Sequence, residues 1–253
     1  MTIIFYMKRK FIWKILIYFI IYSIVGFFLE TIYAIFTKGM LESRQSFLYG
    51  PFCIVYGIAA ICLILALSKY KNNNVKLFFY GMILGCVIEY FSSYIGEILL
   101  HVKWWDYSND FLNIHGRTCL YYALMWGILT IPLINYINPF LDKWIDKFIQ
   151  NDSRSFFKFC TVAITLFMVF DGALTCYALD NFLVNVSNEY NIKINGVDYE
   201  RIANTYASNI FSNEKMMMTY PNIIIVNDKN EVVYLESVLN DVKNYYYRFS
   251  MSQ

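Results

Sequence analysis

Residues 11–37 read FIWKILIYFIIYSIVGFFLETIYAIFT, a run in which Lys14 and Glu30 are the only charged side chains. A helix needs about 20 predominantly apolar residues to cross the hydrocarbon core of a bilayer. This segment is longer than that, so it predicts a transmembrane helix.

The composition of the whole chain leads to the same conclusion. Of its 253 residues, 58% are hydrophobic and 16% are charged, whereas soluble domains average about 45–50% and about 25%. The composition therefore indicates an integral membrane protein, with the lipid bilayer as its first partner. The net charge of +2 is too small to favour nucleic acid as a partner.

Four further apolar segments follow the first one along the chain. The predicted spans are about 11–37, 47–68, 75–100, 117–138 and 156–182. They predict an all-α polytopic membrane protein, with five helices in a bundle within a membrane domain of residues 1–184. The polar remainder, 185–253, contains a strand–turn–strand pattern in residues 221–235, which predicts a small α+β tail.

The basic residues of the short connections predict the orientation of the chain. Eleven Lys and Arg residues lie in the N-terminal segment and in the second and fourth loops, against four in the first and third loops. Positive residues mark the cytoplasmic side. We therefore expect a multi-pass protein of the cytoplasmic membrane with a cytoplasmic N-terminus and an extracytoplasmic C-terminal tail.

Four carboxylates fall inside the predicted spans, where each costs about 2.5–3.5 kcal/mol at mid-helix. At 1.5 Å per residue from the cytoplasmic ends, Glu30 lies about 24 Å deep, Glu89 and Asp171 about 20 Å, and Glu97 about 31 Å. Glu89, Ser93, Gly96 and Glu97 share one helical face. Lipid cannot satisfy such a face, so it is expected to point into the bundle.

Outer loops supply groups that complement these acids, namely two arginines, two tryptophans and two polar loop residues. Together they predict a polar site that opens to the outside and binds a ligand or an ion. The candidate residues are Glu30, Arg44, Glu89, Glu97, Trp104, Trp105, Asp106, Asn113, Arg117 and Asp171. The alternatives stay open: the charges form a structural ion-pair network, and the tryptophans form an interfacial aromatic belt.

Motifs of enzymes, metal sites and nucleotide-binding proteins do not occur in the sequence. It has no GxSxG, HExxH or P-loop pattern, so we expect no enzymatic activity, no cofactor and no bound metal. On paper, Glu97, His101, Asp106 and His115 offer metal ligands, but a solvated loop histidine is the more common case. Cys53 and Cys119 lie at predicted outer ends of spans, which leaves a disulfide between them open.

Several stretches resemble the CmpB-type family of ABC-transporter permeases. They are Tyr18–Gly26 with Glu30, Phe47–Gly57 (FLYGPFCIVYG), Glu89-Tyr with Glu97, Lys103–Ser108 (KWWDYS), Asn113–Leu120 (NIHGRTCL) and Met216–Asn222 (MMMTYPN). Ile54 stands where the family usually has proline, so the start of the second helix is expected to differ locally. The resemblance implies a bacterial inner-membrane permease.

Two functional hypotheses follow from these features. The first is a permease-like transport protein that relies on a separate ATPase subunit, because the chain has no nucleotide-binding motif. The alternating segment Leu141–Ile149 is then either the contact for that subunit or a helix lying on the inner leaflet. The second is a non-transporting scaffold or sensor, whose buried charges are structural and whose outer tail binds a partner. A homo-oligomer is compatible with both.

Overall fold

The computed structural model describes residues 2–150, 154–198, 200–239 and 247–248. Helices dominate it, and short strands occupy the first loop and the tail. The helices are α1 (Thr2–Lys38), α2 (Ile54–Leu67), α3 (Asn74–Leu100), α4 (Leu120–Pro132), α5 (Asn138–Gln150), α6 (Arg154–Tyr190), α7 (Thr205–Ile210), α8 (Asn213–Thr219) and α9 (Leu235–Val238). The strands are β1 (Met40–Leu41), β2 (Ile224–Val226), β3 (Val232–Tyr234) and β4 (Tyr247–Arg248).

Four helical segments of the described chain are long and apolar enough to cross a membrane. They are Phe11–Lys38, Asn74–Leu100, Leu120–Phe148 and Ser155–Tyr190. The second predicted span is the exception, because α2 and the 3₁₀ turn after it cover only Ile54–Tyr70. That length corresponds to about 25 Å, short of the roughly 30 Å hydrocarbon core.

Residues 47–53, predicted as the start of the second span, are not helical. Gly50 adopts a left-handed backbone with φ of 81°, and Pro51 lacks the N–H that an uninterrupted helix would use. The helix therefore begins at Ile54, whose N–H donates to Ser46 Oγ at 3.1 Å. Proline is favoured at this first helical position, but it could not donate that hydrogen bond.

The irregular segment before α2 runs back along α1. The Cys53 N–H donates to the Ser23 carbonyl oxygen at 2.8 Å, and Ser23 lies about 22 Å along the helix from Lys38. A non-helical backbone inside a membrane protein must find its hydrogen bonds within the protein. Here α6 supplies two acceptors: Thr175 Oγ1 for the Leu48 N–H at 2.9 Å and the Asp171 carboxylate for the Tyr49 N–H at 3.0 Å.

Small residues allow neighbouring helices to approach closely at Gly81 and Gly85. A Cβ atom at Gly81 would lie 2.3 Å from Thr130 Oγ1, and one at Gly85 would lie 2.3 Å from the Trp126 ring. Gly57 plays the same part between α2 and α1, where a Cβ would lie 2.3 Å from Ser23 Oγ. Such contacts hold helices together where lipid provides no hydrophobic driving force.

The fourth predicted span continues into the segment that was expected to be a loop. A π-helical turn, Leu133–Ile137, joins α4 to the amphipathic α5. Its inner face packs against α1, with Lys14 Nζ 2.6 Å from Asp142 Oδ1 and 3.2 Å from Asp146 Oδ1. The helical character expected for Leu141–Ile149 is confirmed, and its two aspartates are used within the chain.

The tail packs on α6 and on the ends of α1 and α3. Strands β2 and β3 pair antiparallel, with Ile225 opposite Val233, which confirms the small sheet. Helix α6 runs past the predicted end of the fifth span to Tyr190, and its last turns share a core with the tail. That core contains Leu179, Phe182, Leu183, Val186, Met216, Met217, Ile223, Ile225, Leu235 and Leu239. Lys38 and Lys103 also reach the tail, through Asn222 and Ile224.

Candidate binding site

Glu89 is the best-buried glutamate of α3, with 5% of its surface exposed. Its two carboxylate oxygens accept hydrogen bonds from different side chains. Thr118 Oγ1 donates to Oε2 at 2.8 Å, and Tyr107 Oη donates to Oε1 at 3.2 Å. Both donors come from the connection between α3 and α4, so that connection closes over Glu89.

Glu30 approaches the same place from α1. Tyr56 Oη, from the first turn of α2, donates to Glu30 Oε1 at 2.6 Å. The Glu30 and Glu89 carboxylates are close enough to interact electrostatically, and the Tyr107 hydroxyl lies in the field of both. The N-terminal end of α2 carries a partial positive charge, which favours a carboxylate nearby.

Tyrosine side chains surround this pair of acids. Burial, and then the charge of Glu89, raise the pKa of Tyr107 well above its usual value. Tyr107 stacks on Tyr122 with ring centroids 4.4 Å apart, and the Tyr122 hydroxyl lies 3.4 Å from that of Tyr33. The surroundings of Glu30 and Glu89 are therefore built from neutral hydrogen-bond donors and aromatic rings.

Within the described parts of the chain, neither Glu30 nor Glu89 has a basic side chain within ion-pair distance. The other candidate glutamate differs. Arg117 Nη2 lies 2.6 Å from Glu97 Oε2, and Lys103 Nζ lies 3.9 Å from the same oxygen. An unpaired buried carboxylate is costly and attracts a cation or a proton.

Arg117 organises the C-terminal end of α3. Its Nη1 donates to Ser93 Oγ at 3.1 Å, and its guanidinium lies 5.3 Å from the centre of the Tyr94 ring. The predicted polar face of α3 thus points inward: Glu89 meets Thr118, and Ser93 and Glu97 meet Arg117. The arginine neutralises Glu97 and not Glu89.

The remaining loop candidates shape the connection between α3 and α4. Trp105 Nε1 donates to the Arg117 carbonyl oxygen at 2.9 Å, whereas Trp104 packs against Tyr220 of the tail, 5.4 Å between ring centroids. Asp106 accepts from Ser108 Oγ at 2.7 Å. Asn113 closes the loop, since its side chain donates to the carbonyl oxygens of Ser108 and Asp110 and accepts from the Gly116 N–H.

Two predicted site residues, Arg44 and Asp171, lie outside both the Glu30–Glu89 cluster and the connection between α3 and α4. Arg44 pairs with Glu42 at 3.0 Å, and Lys38 approaches the same carboxylate at 3.1 Å. Asp171 is 1% exposed and accepts the Tyr49 N–H, so it supports the irregular segment before α2. The ten predicted residues therefore divide into separate groups. Glu30 and Glu89, which interact with each other without a basic partner in the described chain, form the most site-like group.

The possible metal ligands Glu97, His101, Asp106 and His115 do not form a metal site. In the described chain no three His, Cys, Asp or Glu side chains lie close enough together to hold a metal ion. His115 Nδ1 lies 2.9 Å from the Tyr90 hydroxyl, and His101 lies against Gly196 of the tail. Cys53 and Cys119 are both free thiols.

Sequence reasoning missed the neutral partners of the acids: Tyr56, Tyr107 and Thr118. All three stand inside stretches that carried the family resemblance, FLYGPFCIVYG, KWWDYS and NIHGRTCL. Their positions in those stretches were the available signal, but charge and depth selected only ionisable residues. Glu42, the buried partner of Arg44 and Lys38, was missed because it lies in a short loop.

Apolar helices of spanning length, with charged and polar side chains turned inward, define a polytopic helical membrane protein. The chain belongs to the CmpB family, described as "Putative ABC-transporter type IV", whose model matches residues 17–176. That description is of an ABC-type transporter component. No curated protein and no solved structure matches the chain.

Proposed function

We propose that this protein is the membrane-embedded, permease-like part of a transport system, and that Glu30 and Glu89 bind a cation or a proton. One observation carries the proposal: the buried Glu89 carboxylate and the half-buried Glu30 carboxylate lie close enough to interact among neutral donors, without a basic partner in the described chain. Intramembrane carboxylates of this kind mark ion and proton pathways in transporters.

The proposed topology has five crossings, a cytoplasmic N-terminus and an extracytoplasmic tail, in the cytoplasmic membrane of a bacterium. The distribution of lysine and arginine supports this orientation. The tail also contacts the ends of α1 and α3, as a tail following an odd number of crossings would. In this topology, α2 and the irregular segment before it form the second crossing together, and the acidic pair is reached from the outside.

A separate ATPase subunit is the proposed source of energy, because the chain has no nucleotide-binding motif of its own. Helix α5 is its proposed contact. Asp142 and Asp146 are engaged with Lys14, which leaves Lys143, Trp144 and Lys147 on the other faces for a partner. Mild-detergent purification from the native membrane, followed by mass spectrometry, tests this contact: a stoichiometric nucleotide-binding subunit supports it, and its absence removes the basis for ATP-driven transport.

The acidic pair is tested by cation-dependent stability. The melting temperature of the purified protein is measured at constant ionic strength while choline is replaced by Na⁺, K⁺ or Li⁺. A ligand at 100 times its Kd stabilises the folded state by about 2.7 kcal/mol, which is a readily measured shift. We expect Glu30→Gln and Glu89→Gln to abolish the shift and Glu236→Gln, an exposed control in α9, to retain it.

Wild-type protein that is indifferent to all three cations, and whose proton uptake on lowering the pH is unchanged by Glu89→Gln, would contradict the proposed role. That outcome favours the second candidate, a membrane scaffold or sensor. The observation behind this candidate is that Glu42, Glu97 and Asp171 are all engaged in structural contacts. A scaffold of this kind predicts that Glu89→Gln acts on stability alone and that loss of the tail removes partner binding.

A further inference from the structure

An open groove lies between the end of α2 and the first half of α3. Its volume is about 310 Å³, and its walls are formed by Ala66, Leu67, Ile83, Leu84 and Val87. Ile83 and Val87 are 57% and 44% exposed, so the groove opens sideways, where lipid surrounds a membrane bundle. From Tyr80 to Val87 it extends about 10 Å along α3.

Basic and aromatic side chains stand at one end of this groove. Lys69, Tyr70 and Tyr80 line it directly, and the centroids of the Tyr70 and Tyr80 rings lie 5.0 Å apart, with the ring planes tilted by 35°. The ammonium groups of Lys69 and Lys76 lie 5.1 and 5.6 Å from the centre of the Tyr70 ring. Both lysines are therefore gathered at the mouth, and the exposed Lys71 follows Tyr70 directly.

Acidic partners for these lysines are absent from the surroundings that the sequence and the described residues provide. No Asp or Glu occurs between Glu42 and Glu89. Within the described chain, Lys69, Lys71 and Lys76 form no ion pair with any carboxylate. Three lysines that form no ion pair in the described chain thus lie at or beside one end of an apolar groove.

We propose that this groove binds an anionic phospholipid, with an acyl chain along Leu67, Ile83 and Val87 and the phosphate at Lys69, Lys71 and Lys76. The groove fits a lipid because its parts follow the same order as those of the lipid. The apolar wall can contact the acyl chain, the tyrosines lie at the boundary, and the lysines lie where the charged headgroup would be. Basic pockets between transmembrane helices recognise anionic headgroups in this way, and tyrosines are enriched at the same level of the membrane. The proposal is independent of the role of Glu30 and Glu89.

The test compares phosphatidylglycerol with phosphatidylcholine of the same acyl chains, added to the delipidated full-length protein in neutral detergent. Binding is followed by native mass spectrometry and by melting temperature. We expect phosphatidylglycerol to bind more tightly. In the triple variant Lys69→Gln/Lys71→Gln/Lys76→Gln this preference should fall by roughly 100-fold, since the three lysines near the membrane surface contribute about equally to the binding free energy of an anionic lipid.

Two further variants separate a groove from general surface charge. Ala66→Phe fills the groove at an exposed position and leaves all three lysines in place, so it should also reduce phosphatidylglycerol binding. Lys143→Gln/Lys147→Gln removes two exposed charges from α5, away from the groove, and should retain the preference. Equal binding of the two lipids by wild type, or an unchanged preference in both the triple variant and Ala66→Phe, would overturn the proposal. Competition by soluble glycerol phosphate equal to that of the intact lipid would overturn the acyl-chain part.

Discussion

Replacing Thr118 by valine tests whether Glu89 is held as a charged acceptor inside the bundle. Valine has nearly the shape of threonine, so the substitution removes the hydroxyl and leaves the packing intact. Thr118 is 2% exposed and Glu89 is 5% exposed, and the hydrogen bond between them measures 2.8 Å. Water is therefore poorly placed to replace the lost donor.

The size of the effect depends on the charge of the acceptor. A hydrogen bond to an ionised group contributes about 1.5–3 kcal/mol, whereas hydrogen bonds between neutral groups of membrane helices average about 0.6 kcal/mol. Tyr107 continues to donate to the other carboxylate oxygen at 3.2 Å, so Glu89 keeps part of its support. We expect Thr118→Val to lower the free energy of unfolding by about 2 kcal/mol.

The assay is reversible unfolding in mixed micelles with a denaturing detergent, followed by circular dichroism. Thr161→Val is the matched control, because Thr161 is 4% exposed and its hydroxyl donates only to the Phe157 carbonyl of its own helix, at 2.9 Å. That variant should cost about 0.6 kcal/mol. In a Glu89→Gln background the cost of Thr118→Val should fall to the control value, which gives a coupling of about 1.4 kcal/mol. Equal costs for the two threonines, or no coupling to Glu89, would refute the reasoning.

Other contacts make further predictions. Arg117→Gln should destabilise the protein by about 3 kcal/mol, which is at the low end for a broken buried ion pair because Glu97 is 27% exposed. The double variant with Glu97→Gln should recover part of this loss in the same unfolding assay. If it recovers none, the two side chains do not act as a pair. Asp171→Leu should leave the Tyr49 N–H without its acceptor, at a cost of about 1–3 kcal/mol, and should make maleimide labelling of Cys53 faster. Asp171→Asn should not change the labelling. Unchanged labelling in both variants would show that Asp171 does not support the segment before α2. The pKa of Tyr107 is higher in the folded protein than in the unfolded chain, so the stabilisation by its protonated hydroxyl is complete below the unfolded pKa of about 10 and is lost as the pH rises further. Wild type should therefore lose more stability than Tyr107→Phe above about pH 10. Equal losses in the two proteins would contradict the environment assigned to Tyr107.

Hydropathy was sufficient to locate four long apolar helices, because each one depends mainly on its own length and composition. The segment before α2 was different. Its apolar residues satisfied the same criterion, yet Gly50 and Pro51 end regular structure there, and the backbone is supported by Asp171 and Thr175, more than 120 residues away. A sliding window contains no information about such distant acceptors.

The partners of the charged groups could not be predicted from the sequence either. Helical spacing correctly turned Glu89 and Glu97 to one face of α3, but it could not assign Arg117 to Glu97 or Arg44 to Glu42. Those assignments depend on where the loops fold back over the helix ends. The neutral donors of the site had no charge or depth signal at all.

By itself, the sequence determined that this is a helical membrane protein, which residues form its long apolar helices and which charges must turn away from lipid. These properties follow from local composition, since a helix satisfies its own backbone hydrogen bonds. Only the tertiary structure decided that Glu30 and Glu89 lie close enough to interact among tyrosines, while Arg117 pairs with Glu97 and Arg44 with Glu42. The physical reason is that hydrogen bonds and ion pairs act over about 3–4 Å, so their partners are selected by the packing of distant segments.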